Sequence, residues 1–190
     1  MRTVNMLELR REYAIYREEV RAAVDEVLDG GQYILGPAVT AFETAMAERL
    51  GSPHALAISS GTDALLCAMM ALDIRAGDEV ILPAFTFFAT AGTVARLGAT
   101  PVFVDIDPRT FNIDPEAVER VITPRTKAIV VVHLFGQCAE MDAIQSVACR
   151  HDLRVIEDAA QAIGARYHAR SAGTVGDIAC FSFYPTKNLG

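Results

Sequence analysis

The sequence predicts a doubly wound α/β fold, in which a mostly parallel sheet of about six strands is flanked by helices. Short runs that are apolar throughout recur along the chain, as expected of strands buried on both faces. Stretches with helical periodicity lie between most of these runs, and such alternation is typical of parallel α/β sheets. The chain has 190 residues, 52% of them hydrophobic, which is enough for a substantial core.

A helical arm is predicted before the sheet. Apolar residues recur at helical spacing over residues 7–29, and Gly30-Gly31 ends that helix. A second helix is predicted from Pro37 to Leu50, since a proline in the first turn loses no intrahelical hydrogen bond. We therefore expect a helical N-terminal arm over residues 1–36 and one α/β domain over residues 37–190.

The remaining elements follow in alternation. The predicted strands are residues 54–58, 79–82, 102–104, 128–132, 155–156 and 178–183. The predicted helices are residues 62–72, 88–97, 115–122 and 141–151. Ligands of such sheets bind beyond the carboxyl ends of the strands, so the residues that follow each strand are the candidates for function.

Charge and composition exclude several classes of protein. A net charge of −7 argues against nucleic-acid binding, which needs a basic surface. The sequence contains no run of 18 apolar residues and no signal-peptide pattern, so we expect a cytoplasmic protein. The four cysteines form no CxxC pair and lie in apolar segments, which favours reduced, buried thiols over a metal site.

Three groups of residues could carry chemistry. Ser59-Ser60-Gly61-Thr62 links a predicted strand to a helix, either as a phosphate site or as an ordinary helix cap. Asp158 ends a strand and could pair with a cationic ligand group or cap the next turn; no further metal ligands accompany it at suitable spacing. Lys187 follows the last strand and is either a surface charge or a nucleophile.

Together these groups meet the needs of pyridoxal 5′-phosphate. The cofactor requires a phosphate pocket, an acid for its ring nitrogen and an amine that forms a Schiff base with its aldehyde. An aromatic side chain to stack on the ring is available at Phe87 or Phe88.

Six blocks of sequence carry a family resemblance that extends over the chain from YILGP onward. They are SGTDAL, PAFTFFAT, VDIDPRTFNIDP, ITPRTKAIVVVHLFGQ, VIEDAAQAIGA and FSFYPTKNLG. In this order they resemble the sugar aminotransferases of the DegT/DnrJ/EryC1/StrS family. The resemblance implies the large domain of a fold type I pyridoxal-phosphate enzyme, with a mostly parallel sheet between two helical layers.

The resemblance also implies a role for individual residues. Lys187 would form the Schiff base, and Asp158 would bind the ring nitrogen. The cofactor's other contacts would be Gln161 at its 3-oxygen, Gly61, Thr62 and Ser182 at its phosphate, and Phe87 stacked on its ring. His133 would either contact the ligands or only brace its loop.

The activity implied is transfer of an amino group from an amino acid, usually glutamate, to a nucleotide-linked keto sugar. Lysine at position 187 favours transamination over the related sugar dehydratases, which carry histidine there. The implied partners are these two substrates and a second copy of the chain, in a homodimer with shared active sites. Family members continue into a smaller C-terminal domain, so we expect this chain to be truncated before it. A non-catalytic regulatory protein that keeps the cofactor scaffold stays open as an alternative.

Overall fold

Two helices, α1 (Leu9–Gly30) and α2 (Pro37–Leu50), form the first of two compact units, which divide between Ala57 and Ile58. The computed structural model describes residues 7–189, so residues 1–6 of the predicted arm and residue 190 lie outside the described residues. Each helix is followed by a glycine in the left-handed conformation, a common helix ending.

The second unit is built on a sheet of five strands. These are β1 (Glu79–Pro83), β2 (Thr100–Val104), β3 (Thr126–Val132), β4 (Arg154–Asp158) and β7 (Ile178–Cys180). Their order is β2-β1-β3-β4-β7, and every pairing is parallel. Helix α3 (Gly61–Ala71) precedes β1, and α4 (Phe88–Arg96), α5 (Pro115–Arg120) and α6 (Met141–His151) lie between the successive strands β1 to β4.

The strands bury alternate side chains in two cores, one on each face of the sheet. Ile129 and Val131 of β3 pack on one face with Val118 of α5 and Ile144 of α6. The next residues along the strand, including Val130, pack on the other face with α3 and α4. A parallel sheet between two helical layers confirms the predicted fold class.

Two predicted strands differ from the structure, and one hairpin was missed. Residues 54–58 are not a strand, because they pair with no strand of the described sheet; the Ala57 N–H donates instead to the Glu43 carboxylate, at 2.8 Å. The last strand ends at Cys180 rather than at residue 183. A short antiparallel pair, β5 (Arg166–Tyr167) with β6 (Arg170–Ser171), was not predicted.

The cysteines are only partly buried, contrary to the prediction. Cys180 is buried and Cys138 is half-buried, but Cys67 and Cys149 are exposed on α3 and α6. Both helices cover the sheet with one face only, so an apolar residue on the other face stays in solvent. Within residues 7–189 no helix has the length and apolar character to cross a membrane. Over the same residues no three metal-ligating side chains are grouped around one point.

Candidate active site

The residues singled out from the sequence gather at the carboxyl edge of the sheet. Asp158 is the last residue of β4 and pairs in register with Cys180 of β7, two residues before Ser182. The backbone N–H of His133, which follows β3, donates to the Asp158 carbonyl at 3.1 Å. Because the strands are parallel, the three segments leave the sheet on the same side.

The start of α3 lies directly against the segment that follows β7. A Cβ on Gly61 would stand 2.9 Å from the Ser182 Cβ and 3.3 Å from the Phe181 carbonyl oxygen, so only glycine allows this approach. The Ser60 hydroxyl accepts the Asp63 N–H at 3.0 Å and caps the helix. The first-turn N–H groups of Gly61 and Thr62 therefore stand next to Ser182, in the arrangement that binds phosphate.

Asp158 is 6% exposed and is held by two hydrogen bonds. Its Oδ2 accepts the Thr90 hydroxyl at 2.8 Å, and its Oδ1 accepts the Ala160 N–H at 3.3 Å. Burial raises the pKa of Asp158 above its ordinary value, against the effect of the Thr90 bond and of the nearby Lys187 charge. The position of Asp158 suits a carboxylate that accepts a hydrogen bond from a protonated ring nitrogen.

Sequence reasoning missed Thr90, which is fully buried in α4. Its hydroxyl lies 2.9 Å from that of Thr86, so the two threonines and Asp158 form one hydrogen-bonded chain. The available signal was a pair of threonines close to the start of the helix that follows β1, one just before it and one in its first turn.

Lys187 is half-buried and lines a cavity together with Phe135, Gln161, Thr186 and Asn188. Its backbone N–H donates to the Tyr184 carbonyl at 2.8 Å, which closes the turn after β7. The chain has only one other lysine, Lys127, against fifteen arginines. Because lysine is so rare in this chain, Lys187 stands out as a functional candidate, an indication that the prediction from sequence did not use.

Gln161 faces this cavity from the turn after β4, and its Oε1 accepts the Phe135 N–H at 3.0 Å. Phe87, the residue before α4, is 70% exposed. The Phe88 ring packs on its own helix, 3.0 Å from the place where Gly92 would carry a Cβ. Both residues are exposed, Phe88 at 81%, so exposure does not choose between the two rings.

His133 is fully buried, and both of its ring nitrogens are hydrogen-bonded within the protein. Nε2 lies 2.8 Å from Oε2 of Glu157, and Nδ1 accepts the Ala139 N–H at 3.2 Å. Of the two roles considered for His133, this arrangement favours bracing the loop over direct contact with a ligand.

The residues present fit pyridoxal phosphate. The start of α3 offers backbone N–H donors beside Ser182, which suit a phosphate, and the buried Asp158 offers an oxygen to a ring nitrogen. An amine stands in the same region at Lys187, close enough for its charge to favour ionised Asp158.

Comparison with known proteins points in the same direction. Residues 14–190 match the DegT/DnrJ/EryC1/StrS aminotransferase family. A curated relative from Pseudomonas aeruginosa, UDP-2-acetamido-2-deoxy-3-oxo-D-glucuronate aminotransferase, is 49% identical over 98% of this chain and 52% of its own length. The chain spans about half the length of the curated relatives it matches.

Solved structures of similar proteins superpose closely on the chain. DesV of S. venezuelae, in complex with a ketimine intermediate, gives a TM-score of 0.97 at 46% identity, over 100% of this chain and 51% of that one. NtdA of Bacillus subtilis, with bound cofactor PMP, gives 0.94 at 40% identity, over 100% of this chain and 43% of that one.

Proposed function

The chain belongs to the DegT/DnrJ/EryC1/StrS aminotransferase family, and on this premise we propose that it is the cofactor-binding part of a nucleotide-sugar aminotransferase. The proposal rests mainly on one observation: the half-buried Lys187, the buried Asp158 and the close approach of Gly61 to Ser182 lie at the same edge of the sheet. The complete protein transfers an amino group from an amino acid, glutamate, to the keto group of a nucleotide-linked sugar.

Pyridoxal 5′-phosphate is the cofactor of this proposal. Its phosphate would be held by the N–H groups of Gly61 and Thr62 and by the Ser182 hydroxyl, at the positive end of the α3 dipole. Its other contacts would be an oxygen of Asp158 at the ring nitrogen, Gln161 at the 3-oxygen, Phe87 on the ring face and Lys187 at the aldehyde carbon.

The cofactor supplies an electron sink for the carbanion that forms when the α-proton of the amino acid leaves. Lys187 would take that proton as a general base and would return it to C4′ of the cofactor as a general acid. Asp158 keeps a negative charge next to the ring nitrogen and thereby keeps that nitrogen protonated. Thr90 holds the Asp158 carboxylate in place through its 2.8 Å hydrogen bond.

The second substrate and the assembly belong to the same proposal. In the second half-reaction Lys187 would move a proton in the opposite direction, to the sugar carbon that gains the amino group, and the keto oxygen would leave as water. The complete protein acts as a homodimer with shared active sites. The activities for which two of the relatives are named support a nucleotide-linked sugar as the acceptor.

Reduction with borohydride tests the attachment site. The protein is incubated with pyridoxal phosphate, reduced and digested, and the modified peptide is identified by mass spectrometry. We expect the label on the peptide that contains Lys187, and its loss in Lys187→Ala. Lys127→Ala is the matched control, because Lys127 is exposed on β3 and should not affect labelling. Labelling of Lys187→Ala to the wild-type extent at the same site would contradict the assignment.

Turnover tests the reaction class. The complete protein is assayed with glutamate and a panel of nucleotide-linked keto sugars, and both the 2-oxo acid and the amino sugar are measured. Formation of the two products in equal amounts supports transamination. A deoxygenated sugar without 2-oxo acid would instead identify a dehydratase.

A further inference from the structure

A buried carboxylate lies next to Asp158 and has no role in the chemistry described so far. Glu157 is fully buried and accepts four hydrogen bonds. Its donors are the backbone N–H groups of Gly173 (2.7 Å), Val175 (2.7 Å) and Gly176 (2.5 Å) and the His133 ring (2.8 Å). Burial opposes ionisation of Glu157, but the hydrogen bonds outweigh it and hold its pKa below the usual value.

These contacts fix the His133 ring in one state. Because Nδ1 accepts the Ala139 N–H, the ring proton is on Nε2, where it is donated to Glu157. The His133 backbone is held as well, since its N–H donates to the Asp158 carbonyl and its carbonyl accepts the Gly136 N–H at 3.3 Å. His133 is therefore held in its turn through both its ring and its backbone.

The turn that begins at His133 carries strain. Phe135 has a φ of +54°, a conformation that costs an aromatic residue free energy and persists only when its surroundings enforce it. Its ring is 76% exposed, so burial of the ring does not offset the strain. Its N–H, however, points at Oε1 of Gln161, at 3.0 Å.

That hydrogen bond sets the direction of the Gln161 amide. With Oε1 turned toward the Phe135 N–H, the Nε2 hydrogens point away from Phe135 and are left to donate to another partner. Gln161 and Phe135 line the same cavity as Lys187. The amide therefore presents donors to an acceptor oxygen in that cavity.

We propose that Glu157 and His133 are positioning residues, which hold the strained turn at Phe135 and so direct the N–H donors of Gln161 into the active site. The inference rests on the proposed function, in which the acceptor is the 3-oxygen of the cofactor. Glu157 holds the His133 ring, and His133 in turn fixes the start of the turn. The Phe135 N–H in that turn then orients the Gln161 amide.

Two substitutions of His133 separate this role from a general contribution to folding. His133→Gln retains an N–H at the reach of Nε2 and keeps the bond to Glu157. His133→Asn is shorter and keeps only an acceptor for the Ala139 N–H. The two variants have similar polarity and exchange the two contacts of the ring: glutamine keeps the bond to Glu157 and loses the acceptor for the Ala139 N–H, and asparagine does the reverse.

The readouts are the visible absorbance of the bound cofactor at one fixed pH and the turnover number of the complete protein. We expect His133→Asn to shift the absorbance band and to lower kcat by about tenfold, while the KM for the amino donor changes less. His133→Gln should keep the wild-type band and a kcat within about twofold of it. Wild-type absorbance and kcat in a folded His133→Asn protein would overturn the proposal.

Two further variants decide the matter if His133→Asn does not fold. Glu157→Asp retains the charge but withdraws it from His133, and Gln161→Glu accepts the Phe135 N–H but offers no donor to the cavity. Both should bind cofactor and shift the band in the same direction as each other; an unchanged band in either overturns the proposal. Absence of any cofactor band in the wild-type protein would instead contradict the proposed function.

Discussion

At the scale of single residues, the environment of Asp158 decides how well it can serve a cationic ring nitrogen. Burial favours the neutral acid, whereas the Thr90 hydroxyl, the Ala160 N–H and the Lys187 charge favour the carboxylate. Thr90 is fully buried and points its hydroxyl at Oδ2. Replacing Thr90 by valine removes this hydroxyl with little change in side-chain shape. Thr90 is therefore the most suitable neighbour at which to alter the balance between the neutral and the ionised form of Asp158.

We expect Thr90→Val to move the acid limb of the kcat/KM profile to higher pH. The pKa of Asp158 is already raised, and loss of a hydrogen bond that lowers it raises it further. A larger fraction of the carboxylate is then protonated at any mildly acidic pH, and activity falls there first. A hydrogen bond to a charged group is worth about 1.5–3 kcal/mol, so we expect a loss of at least about tenfold at acidic pH.

Thr93→Val is the matched control for this experiment. Thr93 is also buried in α4, but its hydroxyl bonds only to the Ala89 and Thr90 carbonyls of the same helix. It should leave the acid limb in place. Equal displacement of the limb by both substitutions would show that the Thr90–Asp158 bond is not responsible.

At the scale of elements, the start of α3 and the end of β7 make the predicted phosphate site by close approach. We expect Gly61→Ala to weaken cofactor binding by roughly tenfold, since its Cβ would meet Ser182 at 2.9 Å and a backbone carbonyl at 3.3 Å. The helix must shift away from Ser182, and the N–H groups of the first turn shift with it. Titration of the absorbance with pyridoxal phosphate measures the dissociation constant.

Gly30→Ala serves as the control, because no atom lies within 4 Å of a Cβ built at Gly30 at the end of α1. An unchanged dissociation constant for Gly61→Ala would mean that binding of the cofactor phosphate does not depend on the close approach of α3 to Ser182.

The elements also show which features of the fold can be predicted from sequence. Helices α2 and α6 were predicted to the residue, because proline or a clear apolar period marks their limits. The pair β5–β6 was missed because strands of two residues display no period. Residues 54–58 were wrongly predicted as a strand because an apolar run indicates burial, whereas a strand also needs a partner.

The same limit applies to the candidate site. Asp158 and Lys187 were found because their side-chain chemistry is unusual after a buried strand. Thr90 lies 68 residues before Asp158, and their hydrogen bond depends on how α4 packs against the sheet. Glu157 precedes Asp158 in β4, and adjacent strand residues face opposite sides of a sheet. A second acid directly after the buried pair Val155-Ile156 should have raised the question of its partners.

At the scale of the whole molecule, the two compact units differ in how they bury their residues. Strand β3 contributes five successive buried residues from Ala128 to Val132, and α6 buries four of its residues against the core. In contrast, α1 has no buried residue over its 22 positions, although apolar side chains such as Val24 and Leu28 recur along it. Most helical stability in proteins comes from packing of an apolar face, so α1 is the least stabilised long helix of the described chain.

Hydrogen exchange followed by mass spectrometry tests this difference. In the 190-residue chain at low concentration, we expect the amides of α1 to exchange at least about tenfold faster than those of α6, since local opening of an exposed helix costs little free energy. Equal protection of the two helices would contradict the expectation.

The same measurement on the complete protein tests the proposed homodimer. A second copy that covers the apolar side chains of α1 would slow exchange there as concentration rises and leave exchange in α6 unchanged.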